Sequence, residues 1–155
     1  MSLQQLVIVR HGYYDFTGLT EEGKQQVTRL AKVLATKLNG SKVALLSSTS
    51  PRAIQTSEIL AAHLGELKFQ KHEHLKSSGG SLDDNQAKKV IELVEKRGKT
   101  NSVVILSTHM EFIDGFPTVW GKTLGLSIIT PEDETPKGTA RIIDVQTGKV
   151  EHIQP

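Results

Sequence analysis

The chain contains no cysteine, which excludes disulfides, thiolate metal sites and cysteine nucleophiles together. It also lacks a charge imbalance: 19 Lys and Arg against 17 Asp and Glu leave a formal net charge of +2. That excess is too small to argue for nucleic acid or an anionic membrane as partner, so any anion has to be bound locally. No apolar run approaches the roughly 18 to 20 residues of a membrane-spanning helix. The start, MSLQQLVIVRHG, has no basic stretch followed by a long apolar core, so no secretory leader is expected and a cytoplasmic location is. No repeat, linker or low-complexity segment interrupts the 155 residues, a length that suits one domain, residues 1–155, with its own core.

What is present is an alternation of two periodicities. LVIV at 6–9 is a continuous apolar, β-branched run, as expected of a strand buried on both faces. TEEGKQQVTRLAKVLATKL at 20–38 opens with a capping threonine and two carboxylates, and it places Val27, Leu30, Leu34 and Leu38 on one face of a helix. KVALLSS (42–48) predicts a second strand, and SPRAIQTSEILAAHL (50–64) a helix with Pro51 in its first turn. A short strand follows at 68–72, then a polar connection at 73–84, a helix at 85–98 ending on Gly98, and a central strand SVVILSTH at 102–109. GTARIIDV (138–145) and KVEHI (149–153) form a hairpin through Gln146-Thr147-Gly148. The predicted fold is α/β: a three-layer α/β/α sandwich with a mostly parallel central sheet and a C-terminal β-hairpin.

In such a sheet, ligands bind beyond the carboxyl ends of the strands. Arg10-His11 ends the first strand, Ser47 to Arg52 follows the second, and Ser107-Thr108-His109 ends the central one. Two arginines and two histidines at one sheet edge make a site for a dianionic phosphoryl group. Arg10 and Arg52 provide planar, permanent cations for its oxygens, and a neutral imidazole can attack phosphorus. The second histidine, when positively charged, would stabilise charge on the oxygens. No metal or cofactor is needed by this arrangement.

VRHG after a first strand, LTEEG opening a helix, SSTSPRAIQTS at a strand-to-helix junction and STH at a later strand end together resemble the histidine phosphatase superfamily, which includes the phosphoglycerate mutases. The resemblance spans residues 6–109. It implies His11 as phosphoryl acceptor, His109 as the second pocket histidine and Arg10 and Arg52 as phosphate-binding cations. The chain's length resembles that of compact members acting on phosphohistidine in signalling proteins. The expected function is therefore a metal-independent phosphatase acting on a phosphoprotein or a small phosphorylated molecule, through a phosphohistidine intermediate. The alternatives are a mutase-type phosphoryl transferase and a catalytically weak phosphate- or nucleotide-sensing module.

Two departures qualify the resemblance. Family members commonly place a glutamate proton donor past the third strand, where HLKSSGG here has Ser77; Glu73, Asp83 and Asp84 are the nearby carboxyls, and the sequence does not choose among them. The second histidine is commonly followed by glycine, and here Met110 follows it. The short 73–84 connection predicts an open pocket. His72-Glu73-His74, which could share a strand face, lacks a third metal ligand and reads as surface, as do His63 and His152. Phe112, Ile113, Phe116, Val119 and Trp120 read as core or pocket wall, and Lys88-Lys89 and Lys96-Arg97 as solvated helix faces.

Overall fold

The computed structural model describes residues 2–130 and 134–155. The elements run β1 (Gln5–Arg10), β2 (Tyr14–Asp15), β3 (Gly18–Leu19), α1 (Glu21–Lys37), β4 (Val43–Ser47), α2 (Pro51–His63), β5 (Phe69–Lys71), α3 (Asp84–Gly98), β6 (Val103–Thr108), α4 (Met110–Thr123), β7 (Ala140–Asp144) and β8 (Val150–Ile153). A single 3₁₀ turn, Glu73–Leu75, interrupts the connection after β5.

Six strands form one sheet in the order β5-β4-β6-β1-β7-β8. The first four are mutually parallel, with β6 between β4 and β1; β7 runs antiparallel to β1, and β8 to β7. Strand alternation divides the apolar side chains between two cores. Leu6 and Ile8 of β1 join Leu46, Val104 and Leu106 under α3 and α4, packed by Val90, Val94, Phe112, Phe116 and Trp120. Val7 and Val9 face the other way with Leu45, Ile105 and Ile142, under Val27, Leu30 and Leu34 of α1 and Leu60 of α2. These are the three expected layers, and the C-terminal pair closes the sheet edge as the expected hairpin.

Helix starts follow their sequence signals. Thr20 Oγ1 accepts the Gly23 N–H at 3.0 Å, and Asp83 Oδ2 accepts the Gln86 N–H at 2.9 Å. Two elements were not anticipated. The short β2–β3 pair grows out of the loop after His11, and its Leu19 N–H donates to the Gln55 side chain of α2. The apolar cluster after His109 is a helix, α4, despite Pro117 within it. Proline lacks an N–H for the carbonyl four residues earlier. That carbonyl, Ile113 O, instead accepts Arg141 Nη1 at 2.8 Å.

Lys88, Lys89 and Lys96 are exposed, but Arg97 is half-buried and donates to Gln70 Oε1 at 2.7 Å, so it is not simply a solvated side chain. β5 ends at Lys71, so His72, Glu73 and His74 do not share a strand face; His63 and His152 are exposed. Among the described residues no group of three histidine, aspartate or glutamate side chains could hold a metal, and no helix is long and apolar enough to cross a membrane.

Candidate active site

The three parallel strands β1, β4 and β6 deliver His11, the 48–52 junction and His109 to one edge of the sheet. β1 continues into His11, whose N–H donates to Thr108 O at 3.1 Å, so the nucleophile candidate is tied to the end of β6. Gly12 then passes so close to α1 that an added Cβ would meet Gly23 O and Val27 Cγ2 at 2.8 Å. Gly23 is equally constrained, since its Cβ would lie 2.1 Å from Tyr13 O. The glycine of LTEEG, assigned no chemistry from the sequence, thus lets the helix press the His11 loop into place.

His11 and His109 are buried, at 3% and 2% exposure, with ring centroids 5.2 Å apart. His11 Nδ1 lies 2.9 Å from Gly12 O, a pure acceptor, so Nδ1 carries the proton. Nε2 then presents its lone pair, to which Arg52 Nε donates at 3.2 Å. Arg52 Nη2 lies 3.3 Å from His109 Nδ1, which must accept, so His109 Nε2–H donates to Ser48 Oγ at 2.9 Å. One guanidinium therefore bridges both imidazoles. The Tyr14 ring stacks over it, 4.5 Å from Cζ, and meets the His11 ring edge-on at 5.0 Å. The pocket predicted to be open has an aromatic wall on this side.

Burial, reinforced by Arg52, Arg10 and Lys137, lowers the His11 pKa from 6.5 to about 4, against the opposing hydrogen bond to Gly12. Burial, then His11, Arg52 and Arg10, lower that of His109 to about 3. Both imidazoles are uncharged at neutral pH. Arg52, Arg10 and Lys137 then carry the positive charge around the histidines, and a dianion in contact would be needed to raise the His109 pKa.

Arg10 is held differently. It is 7% exposed, and its Nη1 donates to Thr135 O at 2.5 Å and to Glu134 Oε1 at 2.8 Å. Its buried Nε has no partner among the described residues. Behind it, buried Arg141 donates from Nη2 to Thr135 Oγ1 at 2.6 Å, and Thr135 Oγ1 in turn donates to Asp114. Arg141 thus fastens the carbonyl that fixes Arg10. Its signal in the sequence was a lone arginine inside the apolar run of β7.

The carboxyls left open by the sequence stand apart from these groups. Glu73, Asp83 and Asp84 are exposed, and Asp83 is committed to capping α3. The carboxyl that sequence reasoning passed over is Glu111, two residues beyond His109 and only 6% exposed. It accepts Ser77 Oγ–H at 3.0 Å and the Ser78 N–H at 3.3 Å. Its one signal was an acidic residue between His109 and the apolar Phe112-Ile113 pair.

The family description "Histidine phosphatase superfamily (branch 1)" matches residues 6–100, and the chain belongs to that superfamily. No curated protein sequence matches it significantly. Among solved structures it is similar to a candidate phosphohistidine phosphatase SixA from Agrobacterium tumefaciens, with a TM-score of 0.72 at 14% identity, covering 98% of this chain and 99% of the other. It is also similar to the protein histidine phosphatase SixA complexed with tungstate (0.71, 19%, 97% of each chain). The mycobacterial glucosyl-3-phosphoglycerate phosphatase gives 0.69 at 16% identity over 96% of each chain. Identities this low establish a shared fold.

Proposed function

We propose that this protein is a metal-independent phosphatase that hydrolyses phosphohistidine or phosphomonoesters through a phosphohistidine intermediate on His11. The observation that carries the reading is the His11 imidazole. It is neutral, its Nδ1–H is anchored on Gly12 O, and its Nε2 lone pair faces Arg52. A neutral imidazole of fixed tautomer is a competent nucleophile toward phosphorus, and anchoring the far nitrogen sets its aim. Arg52 and Arg10 would receive the phosphoryl oxygens, with His109 beside them. Nε2 forms a bond to phosphorus as the bond to the leaving group breaks; water then cleaves the N–P bond and releases phosphate. The fold is shared with a protein histidine phosphatase solved in complex with tungstate, which supports an oxyanion as ligand.

The test is to incubate the purified protein with nitrophenyl phosphate and measure released phosphate and acid-labile phosphoprotein together. Both are expected in the wild type, and neither in His11→Asn. Normal turnover in that variant would remove His11 from the chemistry.

A further inference from the structure

Among the described residues no carboxylate pairs with Arg52. Its hydrogen bonds go to two imidazole nitrogens, His11 Nε2 at 3.2 Å and His109 Nδ1 at 3.3 Å. The first of these bonds cannot outlast the chemistry: once His11 Nε2 is bonded to phosphorus, its lone pair is no longer available to the Arg52 Nε–H. The second competes with phosphoryl oxygens for the same guanidinium. The contact that needs neither imidazole nitrogen is the Tyr14 ring, whose centroid lies 4.5 Å from Cζ and which also meets the His11 ring edge-on.

The scaffold, and not Arg52, places that ring. Tyr14 opposes Leu19 across the β2–β3 pair, and the Leu19 N–H donates to the side chain of Gln55, about one turn beyond Arg52 on the same helix. Asp15 Oδ1 closes the turn between the two strands by accepting the backbone N–H and the hydroxyl of Thr17, at 2.8 and 2.7 Å. Guanidinium and ring are thus both referred to α2, one directly and the other through the hairpin.

We infer that Tyr14 is a positioning residue for Arg52, the pivot on which the guanidinium turns from the imidazoles to the phosphoryl oxygens; this rests on the phosphohistidine reading above. A hydrogen bond fixes a direction, whereas a cation is attracted to the whole face of an aromatic ring. Arg52 can therefore exchange imidazole nitrogens for oxygens without leaving Tyr14. The ring is 44% exposed, so its removal should show in catalysis and anion binding and leave the core packing as it is.

The experiment is a double-variant cycle. Nitrophenyl phosphate turnover, tungstate binding and urea midpoints are measured in the wild type, Tyr14→Leu, Tyr14→Phe, Arg52→Ala and Tyr14→Leu/Arg52→Ala. Tyr14→Leu should lower kcat/KM and weaken tungstate binding in the same proportion, by about 2- to 30-fold, the range of a cation–aromatic contact, with its urea midpoint unchanged. Tyr14→Phe keeps the ring face and should lose less than about twofold. In the Arg52→Ala background the leucine should have no further effect, because the ring then has no cation to hold. Wild-type turnover and tungstate binding in Tyr14→Leu would overturn the pivot. So would a loss of the same size with and without Arg52, or a loss in Tyr14→Phe equal to that in Tyr14→Leu, which would assign the effect to the hydroxyl. Absence of phosphoenzyme in the wild type would instead overturn the phosphohistidine reading beneath it, and the tungstate cycle would then decide the Tyr14–Arg52 pair by itself.

Discussion

The two arginines of the pocket belong to walls built in opposite ways. On the α2 side, half-buried Arg52 is held by groups of the pocket itself: His11 Nε2, His109 Nδ1 and the face of Tyr14. On the β7 side, Arg10 is held from behind by Thr135 O, which Arg141 positions through the Thr135 hydroxyl. A phosphoryl group entering between the imidazoles would replace the imidazole partners of Arg52 and leave those of Arg10 in place. On the proposed reading, one cation would follow the substrate, while the other would be preorganised before it arrives. Preorganised charge costs no rearrangement at the moment of reaction.

The most damaging way to break this arrangement is to remove what both walls serve. His11→Asn should lower turnover by at least about 10⁴-fold, because a covalent route has no substitute nucleophile; steady-state rates and phosphoenzyme labelling check it. Arg52→Ala should cost about 10²–10³-fold in kcat and weaken tungstate inhibition in parallel. Arg52→Lys should recover little of either loss, since a point charge cannot bond both imidazoles and stack on Tyr14. Full recovery by lysine would mean that charge alone matters on this wall.

The rear wall is sharpened by Arg141→Met. Removing a buried guanidinium that bonds Ile113 O and Thr135 Oγ1 should destabilise the fold by about 2–4 kcal/mol, measured by urea denaturation. Weaker oxyanion binding in the folded variant is expected as well, because Arg10 loses its positioned carbonyl. Unchanged oxyanion binding would show that Arg10 needs no support from behind.

The two buried histidines predict a pH dependence of stability. The unfolded chain protonates them near 6.5, whereas in the folded protein His11 resists until about 4 and His109 until about 3. Below pH 6.5 the unfolded state therefore binds more protons, and stability falls as pH drops toward 4. The slope is at most about 1.4 kcal/mol per pH unit for each histidine. Urea midpoints measured between about pH 7 and pH 4.5 should show the decline, and His109→Asn should make it shallower. The smallest effect expected is that of Glu134→Gln. The Glu134 side chain is 60% exposed, so losing its pair with Arg10 should strengthen tungstate inhibition only a few-fold, as an exposed ion pair is worth about 0–1 kcal/mol.

The sequence by itself determined the sheet, three of the four helices flanking it and the position of four residues at its edge. The reason is that apolar periodicity, caps and strand-end positions are local, and a parallel sheet carries strand ends to one place whatever the loops do. His11, His109 and Arg52 meet there for that reason, and Arg10 adjoins them. Two elements escaped the sequence reading. One is α4, which runs through Pro117 because the carbonyl that proline leaves unbonded finds its donor in Arg141, 28 positions further along the chain. The two-residue strands β2 and β3 are too short to show a period, yet they place Tyr14 on Arg52. Only the tertiary structure decided the rest: the tautomers and neutrality of the imidazoles, the bracing of Arg10, and the meeting of Ser77 with Glu111. These depend on burial and on contacts between residues tens of positions apart, and no repeating pattern along the chain encodes which loop will come to rest against which helix end.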